Sequence, residues 1–118
     1  MNVNPDIFWK SIKGKEVLNF TFRGTLTHNE AEIAIKTWKE MFQLKPNKQV
    51  IVWECKEMKG YEPMARAVWQ NAIKELKGQI DKIWLVSDSA IIIAGGKIMS
   101  LFTSFDIKPV RSEEDIIV

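Results

Sequence analysis

The chain has 118 residues with 17 basic and 15 acidic side chains, which gives a formal net charge of +2 at pH 7. This length suits one domain with its own core, residues 1–118, and the balanced charge gives no indication of a nucleic-acid partner. Cys55 is the single cysteine, so no disulfide can form within the chain, and we expect a cytoplasmic setting and a buried, inert thiol. The longest apolar run, residues 90–94, is too short to span a bilayer, so we expect no stable membrane anchoring.

A β-hairpin is predicted near the start of the chain. Residues 17–22 are rich in β-forming side chains with a period of two, and residues 7–12 are their expected antiparallel partner. Gly14 suits the turn between them because glycine adopts a positive φ at no steric cost. Gly24 is expected to end the second strand of the hairpin.

The first helix is predicted from its start signal. Thr27 and Glu30 have the spacing of a capping box, in which each side chain accepts a hydrogen bond from the backbone of the other residue. Apolar residues at helical spacing then form a one-sided stripe, and residues 45–48 interrupt the helix with a proline.

A buried strand is predicted at residues 50–53, where a continuous apolar run indicates burial on both faces of a central parallel strand. A loop through Gly60, Tyr61 and Glu62 is expected to follow, with Pro63 as the first residue of the second helix. Loops that leave the carboxyl end of a strand and enter a helix are the usual functional positions in an open α/β sheet. The sequence therefore indicates this junction as the first candidate site.

Two more strands and a third helix are predicted in the second half of the chain. Residues 83–86 form a short apolar strand, and the segment Ser87-Asp88-Ser89 offers helix N-caps. Gly95 and Gly96 predict close approach of the third helix to the sheet. Pro109 favours an edge position for the last strand. A short helical stub is expected after it, whose apolar residues either pack back on the domain or contact another molecule. The third helix also carries an apolar stripe on one side, formed by Ile91, Ala94, Ile98, Leu101, Phe102 and Phe105.

The order of these elements predicts the fold class. Strands that alternate with helices favour an α/β domain with a small mixed, mostly parallel sheet of four or five strands and three or four helices. No glycine-rich phosphate loop, paired cysteines or serine elbow occurs, and His28 is the single histidine. We therefore expect no catalytic residue, no metal site and no cofactor.

The layout resembles the STAS fold of SpoIIAA-like proteins, which are bacterial anti-sigma factor antagonists and their relatives. The resemblance rests on the element order, the segment GTLTHNEAE and the segment IWLVSDSAIIIAGGKIMSLFTSFDIKPVRSEED. It implies a non-enzymatic role in protein–protein switching, with an anti-sigma-type regulator as the kind of partner. Phospho-regulated relatives carry a modified serine where the second helix begins. Here residues 58–64 contain no serine or threonine, and Glu62 falls at or next to that position.

Two functional hypotheses follow. The first is an interaction or regulatory module without catalysis, whose working face lies at the carboxyl ends of the parallel strands and in which Arg66 pairs with an acidic partner group. A homodimer is left open. The predicted partner-binding residues are Lys59, Gly60, Tyr61, Glu62, Met64, Arg66, Ser87, Asp88 and Ser89.

The second hypothesis is a domain that binds an apolar small molecule or lipid. The resemblance supports it because a broader SpoIIAA-like group is related to lipid-binding SEC14-type modules. Four of the five tryptophans lie on predicted core strands or helix stripes, and one or two of them are available to line a pocket. The predicted pocket residues are Trp53, Trp69, Trp84, Gly95 and Gly96.

Overall fold

The computed structural model describes residues 3–117, and its centre is a five-stranded sheet in the order β1-β2-β3-β4-β5. The first pair of strands is antiparallel and the other three pairs are parallel, which confirms the predicted α/β class. No helix within residues 3–117 is both long enough and apolar enough to cross a membrane. The elements are β1 (Asp6–Ile12), β2 (Lys15–Leu26), α1 (His28–Phe42), β3 (Gln49–Tyr61), α2 (Pro63–Leu76), β4 (Ile80–Val86), α3 (Ala90–Thr103) and β5 (Ile107–Val110), with short 3-10 helices at Lys77–Gln79 and Glu113–Asp115.

The predicted hairpin is present, and its turn uses two residues with positive φ. Lys13 has a φ of 50° and Gly14 a φ of 83°, the combination that a tight turn between twisted strands needs. The prediction that Gly24 ends β2 is wrong, because the strand continues to Leu26. Gly24, with a φ of 60°, instead lies beside a shift in the pairing register of β2 with β3.

The capping box at the start of α1 is present as predicted. The Thr27 hydroxyl accepts from the Glu30 amide at 3.1 Å, and the Glu30 carboxylate accepts from the Thr27 amide at 2.9 Å. The two bonds satisfy two backbone donors that the helix start would otherwise leave unpaired. The helix buries Ala31, Ala34, Trp38 and Phe42 against the sheet.

The segment after the central apolar run is a strand and not the predicted loop. β3 extends from Gln49 to Tyr61, and its last residues pair with the extended end of β2, with Leu26 opposite Tyr61. β4 ends at Val86, which pairs with Glu54, so β3 reaches seven residues beyond its neighbour. The carboxyl ends of the strands therefore do not lie at one level.

All three helices pack on one face of the sheet, and an aromatic cluster fills this layer. The Trp38 and Trp69 rings lie 5.6 Å apart, and the Phe20 ring meets Trp38 edge-on at 5.3 Å. The Trp53 ring lies 6.2 Å from Trp69. Edge-on and tilted contacts at these distances are the favoured arrangements of aromatic rings. The expectation that these tryptophans build the core is confirmed.

The other face of the sheet is covered by the C-terminal segment. Ile116 is fully buried there beside Val50 and Val52. The Lys13 ammonium donates to the backbone oxygen of Ile116 at 2.7 Å and holds the segment across the sheet. Ile116 thus tucks back as one alternative predicted, whereas Ile117 is exposed, and Val118 lies outside the described residues.

The prediction that Trp84 lines a pocket with Trp53 is wrong. Trp84 belongs to the core cluster that the C-terminal segment covers, whereas Trp53 faces the helices. The reason is the period of two in a strand. Val52 pairs with Trp84, and Trp53 pairs with Leu85, so the two tryptophans point to opposite faces. A continuous apolar run does not reveal this difference.

Candidate functional site

The junction of β3 and α2 is tied to the start of α1 by Glu62. Its carboxylate accepts a hydrogen bond from the His28 amide at 2.7 Å, and its own amide donates to the Leu26 carbonyl at 2.9 Å. Glu62 precedes α2 but makes no side-chain bond to that helix. Its negative charge lies at the positive end of α1, which is the favourable position for an acid. Glu62 therefore caps the neighbouring helix α1 and not α2, the helix that it precedes.

Tyr61 crosses from the end of β3 to α3 and lies against Gly95. A Cβ atom on Gly95 would collide with the Tyr61 hydroxyl and would lie 3.2 Å from Cε1 of the ring. The absence of a side chain at Gly95 therefore leaves room for the tip of the Tyr61 ring against the helix. The Arg66 guanidinium lies over the same ring, with its carbon 5.9 Å from the ring centroid. Through these contacts Tyr61 connects β3 with both α2 and α3.

A small apolar cavity of about 40 Å³ lies behind Tyr61, between the sheet and the α2–α3 pair. That volume holds about one water-sized group. Most of its lining is apolar, and Arg66 is the single charged residue among the described residues that line it. Trp53, Trp69, Gly95 and Gly96 of the predicted pocket line it together with residues that the sequence did not indicate, which include Cys55, Met58 and Met99.

Two polar groups on residues that line the cavity are buried. The Trp53 indole N–H has no hydrogen-bond acceptor among residues 3–117, although the residue is 2% exposed. An unpaired buried donor costs about 1–3 kcal/mol. Burial raises the pKa of the Cys55 thiol far above its ordinary value, and the nearby charge of Glu54 adds to the shift. The thiol is therefore a neutral wall atom and not a nucleophile.

The predicted partner-binding residues separate into two groups. Lys59, Glu62 and Met64 are exposed near the start of α2, beside the half-buried Gly60, Tyr61 and Arg66. Ser87 does not belong to an exposed face, because it is 1% exposed and its amide donates to the Val110 carbonyl.

The Ser87 hydroxyl is also engaged, since it accepts from the Ser89 amide at 3.0 Å. Ser89 is the N-cap of α3 and accepts from the Ile92 amide at 3.4 Å. Asp88 between them is exposed. The Ser87 hydroxyl therefore serves the turn into α3, and we remove Ser87 from the predicted binding residues.

The apolar stripe of α3 faces solvent. Ile91, Leu101 and Phe102 are 73%, 82% and 62% exposed, whereas Gly95 and Gly96 on the other side of the helix are buried. A stripe of this kind is normally the buried side of a helix. The sequence shows that α3 is apolar on nearly every side. It does not show which side packs on the sheet and which side is exposed.

Cations flank the exposed stripe on both edges. Lys97 is exposed on one edge, and on the other edge Arg66 lies over Tyr61, which covers Gly95. The helix itself contains no acidic residue. Arg66 makes no ion pair within residues 3–117. The surface is thus an apolar strip between two positive charges.

The described residues offer little for metal or acid–base chemistry. No three side chains of His, Cys, Asp or Glu converge within residues 3–117. His28, at the start of α1, lies 2.6 Å from the Glu32 carboxylate on its exposed surface. The carboxylates near the junction are likewise engaged in structure, since Glu57 pairs with Arg23.

Comparison with known proteins supports the fold. An uncharacterised protein of the DUF3478 family from Shewanella loihica PV-4, which has a SpoIIAA-like fold, superposes with a TM-score of 0.78 over 95% of this chain and 90% of that chain, at 15% sequence identity. No sequence family and no curated protein matches the chain. The chain therefore has a SpoIIAA-like, STAS-type fold, as its element order predicts. The likeness at this identity concerns the fold alone.

Proposed function

We propose that this protein is a non-enzymatic interaction module that binds a protein partner through α3. The exposed stripe of Ile91, Leu101 and Phe102 carries the proposal. Contiguous apolar surface on a soluble domain is costly to leave in water and marks interaction sites. The partner-binding surface therefore consists of the α3 stripe with its flanking cations, and the start of α2 adjoins it through Met64 and Arg66.

The charges around the stripe indicate the chemistry of the partner. Lys97 and Arg66 flank apolar side chains, and α3 offers no acid. A helix with apolar residues on one face and carboxylates at its margins is complementary to this surface. Arg66 is suited to a bidentate pair with a carboxylate, because its guanidinium makes no ion pair within residues 3–117. The resemblance to SpoIIAA-like proteins adds an anti-sigma-type regulator as the partner and a bacterial cytoplasm as the setting.

The experiment that tests this function compares partner recovery by two charge variants. Leu101→Glu combined with Phe102→Glu places two acids on the α3 stripe without touching the core. Ile33→Glu is the matched control, since Ile33 is 57% exposed on α1, which packs on the far side of α2 from α3. Tagged proteins are used for capture from the source cells, and recovered proteins are quantified by mass spectrometry.

We expect at least a tenfold loss of specific partners with the α3 variant and no loss with Ile33→Glu. Equal recovery by both variants would contradict the proposal. Circular dichroism of both variants checks that each is folded, and light scattering reports whether wild-type protein is a dimer that the α3 variant dissociates.

The cavity behind Tyr61 favours a second candidate function, the binding of a small apolar molecule. Its wall is apolar, and Arg66 is the single charged residue among the described residues that line it. Ligand sites are typically apolar concavities with a few placed polar groups. The cavity and the α3 stripe lie on opposite sides of the same helix, and Arg66 lies at the edge of both.

A further inference from the structure

We propose that the cavity behind Tyr61 is a binding site for an amphipathic carboxylate, with the apolar chain inside and the carboxylate held by Arg66. This inference rests on the second candidate function and specifies its ligand class and its gate. The carboxylate class follows from the wall of the cavity, in which Arg66 is the single charged residue among the described lining residues.

Arg66 is available for such a ligand. Its guanidinium makes no ion pair within residues 3–117 and lies over the Tyr61 ring at the cavity wall. A carboxylate there gains two charge-assisted hydrogen bonds in the planar geometry that a guanidinium offers. A neutral or cationic head group gains no comparable contact at this position.

The interior of the cavity suits the apolar part of the ligand. Trp53, Trp69 and Met99 contribute aromatic and thioether surface, and the two glycines of α3 place no side chain there. Aromatic and methionine side chains adapt to apolar ligands through dispersion contacts.

Tyr61 acts as the gate of this site. The cavity of about 40 Å³ is too small for an alkyl chain while the tyrosine ring lies on Gly95. Tyr61 is half-buried, so part of its side chain already faces solvent. Rotation of the Tyr61 side chain away from Gly95 extends the cavity to the surface beside Arg66. Ligand binding and the outward position of Tyr61 are therefore coupled.

The test is a titration with three probes that share one chain and differ in head group: octanoate, octanol and octyltrimethylammonium. Affinity is measured by calorimetry, and Trp53 and Trp69 supply a fluorescence signal. Two-dimensional amide NMR locates the binding site through the Gly95 and Gly96 resonances. The variants are Arg66→Gln, Tyr61→Ala and the control Arg111→Gln, whose arginine is exposed beyond the end of β5.

We expect octanoate to bind with one-to-one stoichiometry and to shift the Gly95 and Gly96 amides. Arg66→Gln weakens octanoate at least tenfold and leaves octanol unchanged, whereas Arg111→Gln changes neither. Tyr61→Ala strengthens the binding of octanoate and octanol severalfold, because the closed gate no longer has to open.

Three results would overturn the inference. Equal affinity of wild type for all three probes at Gly95 and Gly96 removes the carboxylate assignment but keeps a ligand-binding cavity. Shifts confined to Leu101 and Phe102 show adsorption on the exposed stripe. No shift at the two glycines in wild type or in Tyr61→Ala removes the ligand-binding function together with the inference.

Discussion

The Glu62 carboxylate lies 2.7 Å from the backbone nitrogen of His28, so an acid at the start of α2 caps the neighbouring helix α1. The bond joins two strand-to-helix junctions that are 34 residues apart in sequence. The residue that precedes α2 is thus a carboxylate that contacts α1. The contact holds in place the end of β3, from which Tyr61 reaches α3.

Glu62→Ala is predicted to lower the free energy of unfolding by about 1 kcal/mol, the usual value of a helix cap. Glu62→Gln keeps an acceptor for the His28 amide, so it is expected to lower the free energy of unfolding less than Glu62→Ala does. Urea denaturation measures both changes. The control is Glu57→Ala, whose exposed pair with Arg23 at 3.3 Å contributes about 0.3 kcal/mol or less. Equal effects of Glu62→Ala and Glu57→Ala would show that the bond to α1 contributes no stability.

Ile116→Ala is predicted to destabilise the protein by about 2–4 kcal/mol, because the side chain is fully buried on the sheet face that no α-helix covers. Its neighbour provides the control. Ile117 is 73% exposed, and Ile117→Ala is expected to change stability by about 0.5 kcal/mol or less. Thermal and urea unfolding of the two variants report the difference. Similar stabilities would mean that the C-terminal segment is not part of the folded unit.

Gly96→Ala is predicted to destabilise the fold by about 1 kcal/mol net, although alanine is the better helix former by a similar amount. An added Cβ would lie 2.7 Å from Cδ2 of Leu85 in the core. Gly78→Ala is the control, since a Cβ there meets no atom within 4 Å. We expect Gly78→Ala to be neutral or slightly stabilising. A Gly96→Ala protein as stable as wild type would contradict the close approach of α3 to the sheet.

Cys55 is predicted to resist thiol reagents in the native state, because its burial favours the neutral thiol and raises its pKa. The unfolded chain has an ordinary thiol pKa of about 8.5. Below that pH the thiol is neutral in both states, so its ionisation does not affect stability. Above it the unfolded chain loses a proton that the folded protein keeps, and the stability of the folded state falls. Iodoacetamide labelling at pH 8 should follow the rate of unfolding. Rapid labelling of the native protein would contradict this prediction and would show that reagents reach the thiol through the cavity.

Local signals in the sequence were sufficient for much of the fold. The capping box of Thr27 and Glu30 needs two side chains and one helix start, and both of its hydrogen bonds are present. Gly14 and Pro63 likewise act through their own backbone conformation. The predicted turn and the predicted start of α2 are both present. Such signals depend on a few neighbouring residues, so tertiary contacts do not alter them.

The positions that depend on tertiary packing were not predictable in the same way. Trp84 and Trp53 lie in similar apolar runs, and their opposite faces follow from strand register, which the sequence does not specify. The extension of β3 to Tyr61 depends on pairing with β2 across a bulge. In α3 both sides are apolar, so the contacts of Gly95 and Gly96 decide which side is buried. The candidate surface on α3 is therefore apparent from the structure alone.

The central claim is that the exposed face of α3 binds a protein partner, and site-specific crosslinking tests it most directly. A photoreactive p-benzoylphenylalanine replaces Leu101 in one protein and Ile33 in another, and both are irradiated in the source cells. We predict crosslinks from position 101 to a protein segment that carries apolar residues flanked by acids, and none of comparable yield from position 33. Equal yields from the two positions, or no protein crosslink from position 101, would contradict the claim.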